Sequence, residues 1–129
     1  MRLFLDTNVL VAAVTDEPET GPVAASVLNA DHEFLTSTLN LMELRTVLTK
    51  KQRLEQDRAA SIQGEITSDV DVVIPDASDM TDANRIQRET LLYPMDCVIF
   101  ACAQGHEASL VTFDSELQEA GAVSPHDLL

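Results

Sequence analysis

The chain has 129 residues, 45% of them hydrophobic and 23% charged, a balance that fits a folded globular protein and not a disordered one. Its formal net charge is −14, from 8 basic against 22 acidic residues, and such a surface repels nucleic acid at low salt. No run approaches the ~18 apolar residues of a membrane helix, and "MRLFLDTNVL" meets an acid at position 6 before an apolar signal segment can form. One domain over residues 1–129, in the cytoplasm and off the membrane, is the expectation.

Strand-like and helix-like segments alternate. "RLFL" (Arg2–Leu5) is a short apolar strand. "NVLVAAV" predicts a helix, and "PVAASVLNA" a second one after Gly21. "EFLTS" is the next strand, followed by a helix from about Thr38 to Lys51. Ala59, Ile62 and Ile66, spaced by three and four, mark another helix. "DVVIP" is a third strand, stopped by Pro75. Asp76 or Ser78 then caps a helix carrying Met80, Ala83 and Ile86. "YPMDCVIFACA" predicts a buried helix with Pro94 in its first turn. "ASLVTF" is a fourth strand and "AVSP" a short fifth. Cys97 and Cys102 fall five apart in one helix, which does not suit a disulfide, so both read as small core residues.

This order implies right-handed crossovers and a sheet covered on both faces. The expected fold is a three-layer α/β/α sandwich around a mostly parallel sheet of four to five strands. In such sheets functional residues gather beyond the carboxyl ends of the strands.

Four acids stand out against that frame. Asp6 ends "RLFLD" and Asp114 ends "LVTFD", so both emerge at one sheet edge. Asp96 is the single charge in "YPMDCVIFACA", in the first turn of its helix and near the positive end of the helix dipole. Glu43 shares an apolar stripe with Leu39 and Val47, four residues to either side. Each acid alone is an ordinary cap or ion-pair partner. The set is harder to explain so, because Glu89–Leu129 holds seven carboxylates and no Lys or Arg. A partner must come from earlier in the chain or from outside as a cation. Carboxylate-only sites suit hard ions such as Mg²⁺ or Mn²⁺. His32, His106 and His126 are scattered without ligand spacing, and no glycine-rich phosphate loop occurs.

"LDTNVLVAAV", "TSTLNLMEL", "YPMDCVIFACA" and "LVTFD", in this order and spacing, resemble the PIN-domain nucleases, in particular the small VapC-type toxins. The resemblance spans the whole chain. Asp6, Glu43, Asp96 and Asp114 match the family's four acidic positions. Asn8 matches the polar residue after the first acid, Thr112 the hydroxyl two before the last, and Glu116 a fifth, variable acid. It implies a Mg²⁺- or Mn²⁺-dependent endoribonuclease that hydrolyses RNA phosphodiester bonds, the toxin of a type II toxin–antitoxin system with a cognate antitoxin. Asp6 and Asp96 are then first choices as direct ligands, with Asp114 and Glu43 binding the metal through water or orienting the nucleophile, and Asn8 and Thr112 supporting them by hydrogen bonds. A homodimer is a further expectation. The strong acidity sets the chain apart from many members.

RNA needs local positive charge. Arg45–Arg58 carries Arg45, Lys50, Lys51, Arg53 and Arg58 against Glu55 and Asp57, a local +3 just after Glu43. This stretch reads either as an ordinary solvated face or as a phosphate-contacting rim that Arg85 and Arg88 extend. Rival readings are an RNA-processing PIN nuclease without an antitoxin, a non-catalytic binding module, and a receiver-like Mg²⁺-binding signalling domain. The last needs a late lysine, and none follows Lys51.

The acidic surface also suits a salty cytoplasm, where screening weakens its self-repulsion. Thermal melts in rising KCl are expected to show a rising midpoint; full stability in dilute buffer would overturn that reading.

Overall fold

The computed structural model describes all 129 residues. Four strands form one parallel sheet: β1 (Arg2–Leu5), β2 (Glu33–Ser37), β3 (Asp71–Val73) and β4 (Ser109–Val111), in the order β3-β2-β1-β4. Two helices, α1 (Thr7–Thr15) and α2 (Thr20–Asn29), join β1 to β2. Helix α3 (Thr38–Thr46) runs on into a π-helical turn, Val47–Lys51, and α4 (Gln56–Asp69) leads to β3. Helices α5 (Ala77–Glu89) and α6 (Pro94–Gly105) carry the chain to β4 on the far side of β1. A short α7 (Ser115–Glu119) and a 3-10 turn (Pro125–Leu128) follow. No helix is long and apolar enough to cross a membrane.

Side chains alternate across a strand, so neighbouring residues of β1 serve opposite layers. Leu3 and Leu5 pack with Val9, Leu10, Leu44, Leu48 and Ile62 in one core. Phe4 joins Leu35, Ile86, Ile99, Phe100 and Ala103 in the other. The expected α/β/α sandwich is what forms. The crossover reverses direction between β1 and β4, and functional sites favour that kind of switch point.

Several local expectations are corrected. The "AVSP" strand shrinks to a single bridge, Val123 to Val111. The fourth strand stops at Val111, because the Thr112 side chain turns to Asp6 and Asp114 caps α7. Helix α7 itself was not legible as an element: five residues show no useful periodicity. In α5, Ala83 and Ile86 are buried but Met80 is 53% exposed. Asp79 is the buried neighbour, since it closes a capping box with Asp76 across bonds of 2.9 and 3.0 Å. The helix of "YPMDCVIFACA" is buried only from Cys97 on; Pro94 and Met95 are exposed and Asp96 is half-buried. Cys97 and Cys102 are free, buried thiols, as expected, and burial pushes Cys102 up to about 12.

The Asp76 cap lies outside the acidic edge, so its loss should affect stability alone. Asp76→Ala is expected to cost about 1 kcal/mol, or roughly 4 °C in the melting midpoint for a chain of this size. Calorimetry checks it.

Candidate functional site

Asp6 follows the last residue of β1 and is the N-cap of α1, where its Oδ1 accepts from the Thr7 backbone N–H at 2.9 Å. Its other oxygen, Oδ2, accepts from the Thr112 hydroxyl at 2.8 Å. Thr112 is fully buried just past β4 and has one proton to give. That proton goes to Asp6, and the same oxygen accepts from Asn8 Nδ2 at 3.0 Å and from the Asp114 backbone N–H at 3.1 Å. Asn8 in turn accepts from the Phe113 N–H at 3.1 Å. Asn8 and Thr112 thus bind the exits of β1 and β4 together, as support for Asp6.

A third donor was not legible in the sequence. Asn40, fully buried in the first turn of α3, donates from Nδ2 to Asp6 Oδ1 at 3.3 Å and to the Thr7 hydroxyl at 3.0 Å. Its own Oδ1 accepts from Ser37 Oγ at 2.6 Å, and Ser37 caps α3. The available signal is "STLN", a serine cap with an amide three residues on. That pattern marks a helix start and gives no hint of a carboxylate 34 residues away.

Glu43 is corrected in position. It does not lie on the buried stripe of α3, which is Asn40, Leu44 and Leu48, one residue on from Leu39, Glu43 and Val47. Glu43 is exposed on the adjoining face and looks into the same cleft as Asp6. Asp96, in the first turn of α6, forms the facing wall. Asp114 caps α7, accepting from the Glu116 N–H at 2.8 Å and the Leu117 N–H at 3.5 Å. All four acids line one cleft of about 460 Å³ with Asn8 and Lys51. No three acidic, histidine or cysteine side chains stand close enough to enclose an ion without other donors.

The electrostatics follow from crowding. Burial raises the Asp6 pKa, the Thr112 and Thr7 bonds oppose this, and the Asp114 charge adds to it, for a net rise. Burial and then the charges of Asp6 and Asp96 raise Glu43. Burial, then Asp6, Asp114 and Glu116, push Asp96 up to about 6. Asp96 has neither a hydrogen-bond donor nor a cation: the chain's ion pairs are Arg2–Glu33 and Arg85–Glu89 alone.

Of the basic stretch, only Lys51 reaches the cleft. The Arg45 guanidinium is spent on Gln56 at 3.0 and 3.1 Å and on Gln63 at 3.1 Å, where it ties α3 to α4. Lys50, Arg53 and Arg58 are exposed away from the cleft lining.

Residues 3–123 match the PIN domain. The chain belongs to the PIN-domain family. No curated protein matches the sequence. Among solved structures, it is similar to VapC20 of Mycobacterium tuberculosis, described as a sarcin-ricin loop cleaving toxin, with a TM-score of 0.78 and 22% identity over 94% of this chain and 96% of that one. A toxin–antitoxin complex from Klebsiella pneumoniae gives 0.75 and 20% over 95% and 97%. VapBC2 of Rickettsia felis, bound to a promoter DNA fragment, gives 0.74 and 18% over 96% and 97%. At these identities the likeness is one of fold, and it excludes a receiver-like architecture.

A carboxyl whose folded pKa lies above its ordinary value favours the folded state when protonated. For Asp96 this contribution is full below 3.8 and is lost as pH rises through about 6. Metal-free protein should therefore gain stability as pH falls from 7 toward 4. Asp96→Asn should gain less over that window and at pH 7 should match the parent or exceed it by ~1 kcal/mol, allowing for solvent screening of a half-exposed group. Urea melts in chelator decide; a loss of several kcal/mol in the variant would make Asp96 a structural cap instead.

Proposed function

We propose that this PIN domain is a metal-dependent endoribonuclease and the toxin of a type II toxin–antitoxin pair. The observation that carries the reading is Asp96: an unpartnered carboxylate facing Asp6, Glu43 and Asp114 in one cleft of a PIN fold. The donors there are carboxylate and amide or hydroxyl oxygens, which fit a hard divalent ion such as Mg²⁺ or Mn²⁺. Asp6 and Asp96 would hold it directly, with Asp114 and Glu43 reaching it through water. When bound, such an ion supplies an activated water and neutralises charge on the phosphoryl oxygens.

The chain's own residues do the rest. Thr112 and Asn40 fix the Asp6 carboxylate by one bond to each oxygen. Glu43, exposed on the wall and raised in pKa, orients the attacking water and takes its proton. The water oxygen bonds to phosphorus, the bond to the leaving 3′ oxygen breaks, and that oxygen takes a proton from solvent. The toxin role draws support from the similar structures described as toxins or toxin–antitoxin complexes. An antitoxin would quench the cleft with an arginine, whose planar fork pairs with two carboxylate oxygens. A cytoplasmic location belongs to the same reading, since the proposed substrate is cellular RNA.

Purified protein should cleave single-stranded RNA with Mg²⁺ or Mn²⁺ and stop in EDTA. Asp96→Asn should lose about 100-fold or more, the scale of removing one fixed charge-stabilising group. Robust cleavage in EDTA would refute the metal-dependent route, and cleavage of duplex DNA alone would move the substrate class.

A further inference from the structure

We propose that Lys51 is the residue that contacts the substrate phosphate in this cleft, and that the π-helical turn exists to bring it there. The inference rests on the nuclease reading above and names the part of the site that meets the RNA backbone.

The π turn spans Val47–Lys51, and the Gln52 backbone N–H closes it on the Val47 carbonyl at 3.0 Å. Such turns are rare and concentrate at functional sites. No glycine or proline in Thr38–Gln52 forces a break. What the turn changes is register. At 100° per residue in an α-helix, Lys51 would stand about 80° around the axis from Glu43. The wider turn advances only about 80° per residue, which returns Lys51 to roughly the side of Glu43. Glu43, Val47 and Lys51 accordingly all line the cleft, while Lys50 does not. The turn is held from within: Thr49 Oγ1 donates to the Arg45 carbonyl at 2.9 Å. Arg53 then leaves it with φ of 56°, a left-handed value uncommon outside glycine.

Lys51 is the sole cation lining the cleft, and no carboxylate of the chain pairs with it. Its backbone is set by the π turn, and its ammonium has no partner within the chain. An anion that must enter between four carboxylates needs a short-range positive contact, because the long-range field of a −14 chain opposes it. A phosphodiester meets that contact as a point charge, the mode suited to lysine.

The test compares Lys51→Ala, Lys51→Arg and Lys50→Ala with the parent on a short single-stranded RNA. RNA affinity is read against KCl in an Asp96→Asn background, and kcat/KM in Mg²⁺. Lys51→Ala should lose about 10- to 100-fold in kcat/KM and reduce the log–log salt slope of binding by about one. Lys51→Arg should recover most of both, and Lys50→Ala should lose severalfold less than Lys51→Ala. Equal losses at the two lysines would overturn the proposal in favour of diffuse attraction. So would an unchanged salt slope in a folded Lys51→Ala protein. A parent that cleaves no RNA fails earlier, at the nuclease reading itself.

Discussion

The hydrogen bonds on Asp6 are the constraint on which the acidic edge depends. Because β1 lies between β2 and β4, the residue that leaves it is within reach of both neighbours. Thr112 comes from the β4 side, Asn40 from the helix after β2, and Thr7 from the same chain turn. The single Thr112 proton sets the direction of the whole network: it is given to Asp6, so Thr112 must accept from Asn8 and from Asp114. Loss of that hydroxyl would leave a half-buried carboxylate and an amide short of partners at once, the arrangement in which a missing bond costs most.

Asp96 stands opposite in every respect. It lies in the first turn of α6, where the helix dipole helps an anion by a few tenths of a kcal/mol to about 1 kcal/mol. Asp6, Asp114 and Glu116 act against it. One carboxylate is held rigidly by neutral donors and the facing one is left without any. The difference amounts to a division of roles: Asp6 sets a position, and Asp96 supplies uncompensated charge. Anything positive that binds the folded cleft, an ion or an arginine, stabilises the fold by mass action. The native state thus carries an electrostatic cost that a bound cation would remove, a common trade between stability and function.

The features legible in the sequence are those carried by local pattern. Apolar runs ending in Asp6 and Asp114 marked strands meeting one edge, and the bare charge of Asp96 in an apolar helix pointed to the cleft that it lines with them. The failures have physical causes. Glu43 was assigned to the wrong stripe because burial of a polar group, Asn40, displaces the apolar pattern of α3 by one residue. Asn40 itself carries no local sign of its partner. The π turn has no breaker residue to announce it. The fourth strand stops early because Thr112 gives its side chain to Asp6 and its backbone N–H to the Val123 carbonyl at 3.0 Å. At Asn40 and Thr112 a tertiary hydrogen bond to Asp6 overrides local preference.

Composition misleads in a similar way about charge. Five of the 8 basic residues fall between Arg45 and Arg58, which in sequence looks like a broad positive rim. In the fold Arg45 is consumed in binding α3 to α4, and only Lys51 enters the cleft. The net −14 and the single cleft lysine act over different ranges. The first is a diffuse field that salt screens within about 8 Å at physiological strength. The second is a contact charge beside the carboxylates, acting well within that distance, where screening is weaker. Salt therefore works against repulsion sooner than it works against the contact, so a strongly acidic surface and the proposed anionic substrate are compatible at high ionic strength.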